Sequence, residues 1–174
     1  MASRPVTIVC EEKNTEIISA PSDSSLHDVT TSEDCEAEVK LQKTYMRSTL
    51  YARATNSDVK FVIRDSSTNG RWILKEGHVS TLDNYVVTAS MPFRFKCEGK
   101  PFVPSDLHGE FQLYVDGVPV ARCTFTIAVD IPGVGRNNML LVTIYDPQYK
   151  QEIDGFSHRG SLDDVSMTIT KIST

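Results

Sequence analysis

From Tyr85 to Cys97 every odd position is apolar: Tyr85, Val87, Ala89, Met91, Phe93, Phe95 and Cys97. Between them stand Thr88, Ser90, Pro92, Arg94 and Lys96. Successive side chains on a strand point to opposite faces, so this alternation predicts β structure with one buried face. Pro92 has no N–H to give a ladder, so the run bends there or lies at a sheet edge.

The same period recurs along the chain. Val6, Ile8 and Cys10 alternate, as do Ala37, Val39 and Leu41, then Leu50, Ala52 and Ala54, then Val59, Phe61 and Ile63. Asp65 to Gly70 reads as a turn by composition, after which Trp72 to Leu74 starts a short return strand closed by Lys75-Glu76-Gly77. Met139–Tyr145 and Val165–Ile172 supply the last strands. The best helix candidate, Thr31–Leu41, carries a capping signal at Thr31-Ser32-Glu33-Asp34.

The clearest hairpin is Glu110–Val129. Phe111, Leu113 and Val115 alternate before Asp116-Gly117, and Cys123, Phe125, Ile127 and Val129 after it. A plain two-residue turn pairs odd positions with even ones and sets Arg122 beside Phe111. A three-residue loop with Gly117 in the left-handed region pairs odd with odd, so a G1-type bulge is expected here. About eight short strands broken by Gly, Pro and Asn predict an all-β fold: an antiparallel β-sandwich, jelly-roll-like or Ig-like. The closing run Gly160–Ser166 resembles the last strand of galactose-binding-type jelly rolls over seven residues. That likeness implies no function by itself.

A chain of 174 residues, 40% hydrophobic and 24% charged, is expected to form a single domain, 1–174. Its net charge of −5 hides an asymmetry. Residues 11–38 hold nine carboxylates against one lysine, a net of −8, while residues 39–100 hold eleven basic and five acidic residues, a net of +6. The acidic stretch reads as a long loop or arm that lies against basic positions such as Lys40, Lys43, Arg47, Arg53, Lys60 and Arg64. The basic charges alternate along strands, as on a solvated face, and the acidic balance argues against nucleic acid as a partner. No apolar run approaches 18 residues, so no membrane span is expected. The N-terminus lacks the apolar core and cleavage site of a classical secretion signal.

Cys10, Cys35, Cys97 and Cys123 have no CxxC spacing and read as reduced, buried thiols in a cytoplasmic or other reducing compartment, a virion being one such setting. Cys35 and Cys97 flank Trp72 and offer a disulfide as the alternative. The Trp lies too far along the chain for the immunoglobulin pattern.

Chemistry-bearing motifs are sparse. Gly155-Phe156-Ser157-His158-Arg159-Gly160 misses the nucleophile-elbow spacing by one residue. His27, His78 and His108 are isolated. Asp146, Glu152, Asp154, Asp163 and Asp164 form an acidic C-terminal region whose oxygens suit Ca²⁺ if loops gather them. Candidate binding residues are Arg71 and Trp72 at a loop exit, Tyr114 and Tyr145 on outward faces, and Arg136 and Asn137 beside a glycine-rich loop. Trp72 serves equally as a core plug. The expectation is a non-enzymatic structural or interaction protein without a required cofactor. It works through protein contacts or self-assembly, as a viral structural subunit would. The alternative is a carbohydrate-binding module that uses Ca²⁺.

Overall fold

The computed structural model describes residues 44–55, 58–100, 105–129 and 135–172. They belong to one compact unit, Val39–Thr174. The strands expected near residues 5–10 and 37–41, the helix candidate, the acidic arm, Cys10 and Cys35 lie outside the described residues.

Eleven strands form among the described residues, more than the eight or so expected: β1 (Tyr45–Ala54), β2 (Phe61–Thr68), β3 (Arg71–Leu74), β4 (Gly77–Val79), β5 (Val86–Val87), β6 (Phe93–Glu98), β7 (Leu107–Val115), β8 (Val118–Ile127), β9 (Met139–Ile144), β10 (Tyr149–Asp154) and β11 (Leu162–Lys171). They build a six-stranded sheet in the order β10-β11-β1-β6-β3-β4 and a five-stranded sheet in the order β5-β2-β7-β8-β9. The fold is all-β with mostly antiparallel sheets, and the described residues include no helix. One pair departs from the antiparallel expectation, since β1 and β11 run parallel from Ser48↔Val165 to Ala54↔Lys171.

The core lies where the apolar faces of both sheets meet. Trp72 of β3 is 1% exposed and meets Phe95 of β6 and Phe125 of β8 edge-on, at 5.7 and 6.0 Å between ring centroids. Phe95 in turn meets Phe111 of β7 at 5.6 Å. Rings drawn from both sheets therefore interlock in the edge-to-face geometry that aromatic quadrupoles favour.

Several local expectations are corrected. The run Tyr85–Cys97 is two strands in different sheets. It breaks at Thr88–Met91, where the two residues exchange backbone hydrogen bonds of 3.1 and 3.2 Å and Met91 turns 57% exposed just before Pro92. The bend expected at Pro92 is thus the crossing point between sheets. Asp65–Thr68 is strand, because a bulge between Arg64 and Ser67 absorbs the polar run, and the turn follows at Asn69-Gly70. The strand after it, β3, pairs with β4 and β6 rather than returning along β2.

The β7–β8 hairpin keeps the required parity by another device. Its loop has two residues, Asp116 at φ 50° and Gly117 at φ 81°, the left-handed pair of a type I′ turn. Val115↔Val118 and Tyr114↔Pro119 pair odd with even, then Leu113 pairs with Ala121. Val120 is the extra residue, and past it Phe111 faces Cys123, odd with odd. Consecutive burial of Val120 and Ala121 marks the bulge.

Candidate functional site

The outer face of the five-stranded sheet gathers the most chemistry. Because β7 buries Leu107, Gly109, Phe111 and Leu113, it turns His108, Glu110, Gln112 and Tyr114 outward. Register places Glu110 beside Ser67 of β2 and Thr124 of β8. Ser67, Asn69, His108, Glu110 and Thr124 line an open bowl of about 320 Å³ together with Thr68, Gly109 and Phe125. Glu110 is ion-paired with Arg122 of β8 and accepts from Ser67 Oγ at 3.4 Å. His108 Nδ1 lies 2.9 Å from Thr126 Oγ1.

Further along the same face, Asp65 Oδ2 accepts from Tyr114 Oη at 2.8 Å and from Gln112 Nε2 at 3.2 Å. The hydrogen bond to this carboxylate raises the Tyr114 phenol above its ordinary value, with desolvation adding to it. Asp65 adopts φ 52° at the β2 bulge, which aims its carboxylate across β7.

On the β9 side the face becomes apolar. Met139 and Leu141 are 49% and 54% exposed on alternate positions of β9, and Tyr145 just past its end is 47% exposed. Among the described residues β9 pairs with β8 alone and ends the sheet. Tyr145 gives its N–H to Val120 O of β8 at 2.9 Å, whereas Asn138 gives its N–H to His158 O at 2.7 Å. Backbone groups of successive strand residues point to opposite edges. The odd residues of β9 therefore bond β8, and those of Leu140, Val142 and Ile144 point to the outer edge, where no described residue meets them.

The other sequence candidates fall elsewhere. Trp72 is a core plug rather than a binding residue, and its buried Nε1 has no hydrogen-bond partner among the described residues. Arg71 is exposed on the other sheet, paired across from Glu98. Arg136 binds Asp106 at 3.1 Å, and Asn137 is exposed beside it. Tyr114 and Tyr145 do share the outer face of the five-stranded sheet.

The five carboxylates considered for Ca²⁺ are not brought together. Asp146 caps its own turn through Gln148 N at 2.9 Å, and Glu152 lies 3.5 Å from Lys150. Asp163 accepts from Tyr45 Oη at 2.7 Å and pairs with Arg47 at 3.5 Å. Glu152 and Asp154 lie on strand β10 and Asp163 and Asp164 on β11, so loops do not gather them. No group of three or more His, Cys, Asp or Glu side chains placed to hold a metal occurs among the described residues. Nor is any described helix long and apolar enough to cross a membrane.

Sequence reasoning missed the bowl and Asn138. The polar residues alternating with Leu107–Val115 were a signal for the bowl. Asn138 is buried and accepts from Ala128 N at 2.9 Å. It also donates to Ser157 O at 3.0 Å and Gly160 O at 2.8 Å, a clasp that no local pattern announces.

No protein-family model matches the chain, and no curated protein matches it by sequence. Among solved structures it is similar to RahU protein in complex with a TRIS molecule, with a TM-score of 0.66 and 17% identity, covering 75% of this chain and 97% of that one. It is also similar to IP-1A from Alcaligenes faecalis, with a TM-score of 0.59 and 18% identity, covering 75% of this chain and 92% of that one. These likenesses carry the fold.

Proposed function

We propose that this protein is a non-enzymatic interaction module that engages another polypeptide by strand addition at β9. One observation carries the reading: β9, Met-Leu-Leu-Val-Thr-Ile, ends its sheet with no charge, proline or glycine. Edge strands are ordinarily blunted by lysine, proline, bulges or covering segments, because an open ladder recruits other chains. The half-exposed side chains of Met139, Leu141 and Tyr145 add apolar contact area beside that ladder.

A photo-crosslinking residue at Leu141 tests it in extracts of the source cell. The expected adduct maps to an extended segment of a polypeptide and is lost when Thr143→Lys is added. Equal labelling from Leu141 and from a control at Lys150, on the other sheet, would sink the reading.

The bowl favours a second reading, recognition of a carbohydrate. Its hydroxyls, carboxylate and imidazole suit a polyhydroxylated ligand, and Tyr114 and Tyr145 offer aromatic faces nearby. A glycan array read with and without Ca²⁺ decides this. No binding in either condition removes it.

A further inference from the structure

The stretch of β9 that is open among the described residues has a defined centre. At its N-terminal end the edge is closed at Asn138, whose N–H is taken by His158 O. At its C-terminal end the chain turns away at Asp146, whose carbonyl accepts from Tyr149 N at 3.0 Å. Between these limits the outward backbone groups are those of Leu140, Val142 and Ile144, with Val142 in the middle.

We infer that the strand added at this edge is β9 of a second copy, antiparallel and centred on Val142, joining the two five-stranded sheets across a two-fold axis. The inference rests on reading β9 as the binding edge. In this register Val142 pairs with its counterpart, and Leu140 with Ile144 of the other copy. The outward N–H and C=O groups then close about six backbone hydrogen bonds. The intervening positions become the close, non-hydrogen-bonded pairs of the ladder, so Leu141 faces Thr143 and Met139 faces Tyr145 of the other copy. Two apolar side chains, each about half exposed in the single chain, cover one another at both ends of the new seam.

Charge favours a second copy over an unrelated strand. β9 carries none, so two copies meet without opposed like charges. The antiparallel arrangement also brings the end bearing Arg136, which is paired within its own chain with Asp106 at 3.1 Å, toward the end bearing Asp146 of the other copy. A two-fold interface needs such self-complementarity, because each contact is made twice with the roles exchanged.

The test uses the full chain at concentrations up to about 0.1 mM, enough to populate a micromolar dimer. Light scattering after size exclusion is expected to give twice the 19.4 kDa of one chain. The variants L141K/T143K and L141E/T143E, both on the exposed outer face, each place like charges across the axis and are expected to be folded monomers whose thermal midpoint, unlike that of the wild type, does not rise with concentration. Mixed, they are expected to form a heterodimer. A monomeric wild type overturns the inference, as does a dimer that survives either variant or variants that fail to pair on mixing. If the wild type is monomeric while the Leu141 crosslink still captures a different polypeptide, the second copy is excluded and the strand-addition reading stands.

Discussion

Gly109 of β7 lies under the ring of Phe125 of β8: a Cβ at position 109 would fall 2.3 Å from Phe125 Cζ and 2.8 Å from Cε1. The two residues are register partners, both facing the core. The ring has little room to move, because it is fully buried and also packs edge-on against Trp72. Gly109→Ala therefore overpacks the core and is expected to cost about 1–3 kcal/mol. In a chain of this size that lowers the thermal midpoint by about 2–4 °C per kcal/mol. Phe125→Leu removes the ring, so the penalty of the glycine change should shrink in the double variant. Additive penalties in that cycle would show that the two side chains do not compete for the same space.

Asn138 holds the approach to β9 with its side chain rather than with strand pairing. Asn138→Ala leaves Ala128 N–H without its acceptor and the carbonyls of Ser157 and Gly160 without their donor. A buried group that loses its partner costs about 1–3 kcal/mol. Hydrogen exchange should show the loss locally. The Ala128 amide is expected to exchange faster in the variant, while amides of the β1–β11 ladder keep their protection relative to global stability. Unchanged exchange at Ala128 would mean that the clasp does not form in solution.

How far the sequence carried can be seen at three places. The alternation of β7 and β8 was legible because a two-residue period needs only local side chains. Its parity even demanded one extra residue in the hairpin. That the extra residue is Val120, behind a type I′ turn, was not legible, since Asp116-Gly117 suits both solutions and tertiary packing chooses. The break in the run Tyr85–Cys97 was signalled by Pro92, but its passage between sheets depends on distant pairing with β1 and β2. Of the candidate site, Tyr114 and Tyr145 followed from parity. The bowl joins residues from β2, β7 and β8, and only register could bring them together.

Cys97 and Cys123 are buried free thiols. Desolvation pushes Cys97 up to about 11, against smaller lowering by hydrogen bonds from Thr68 and the backbone, and pushes Cys123 up to about 12. Both are expected to resist alkylation in the folded chain at pH 8 and to react together on unfolding. The folded chain holds these protons more tightly than the unfolded one. Their contribution to stability is whole below the ordinary thiol value of 9.0 and falls as pH rises through about 11. Each thiol steepens that fall by at most about 1.4 kcal/mol per pH unit. Denaturant midpoints measured from pH 8 to 11, with and without Cys123→Ala, check this. Equal slopes for the two proteins would contradict it.

Asp65 and Tyr114 couple the β2 bulge to the outer face, and the coupling is readable by titration. The carboxylate accepts from the phenol at 2.8 Å, which favours the protonated phenol and raises its value. As pH climbs through the folded value the proton leaves and the bond is lost. Asp65→Ala removes the acceptor, so the Tyr114 midpoint is expected to move down toward the ordinary tyrosine value. Asp65→Gly should move it equally. The two variants should differ in stability, because position 65 sits at φ 52°. Alanine there is strained by about 1 kcal/mol relative to glycine, which enters the left-handed region freely. A residue-resolved NMR titration of the tyrosine rings, paired with thermal melts, separates the two effects. If Tyr114 titrates at the same pH in the wild type and in Asp65→Ala, the hydrogen bond is not made in solution. If alanine and glycine variants melt together, the bulge backbone relaxes without its aspartate.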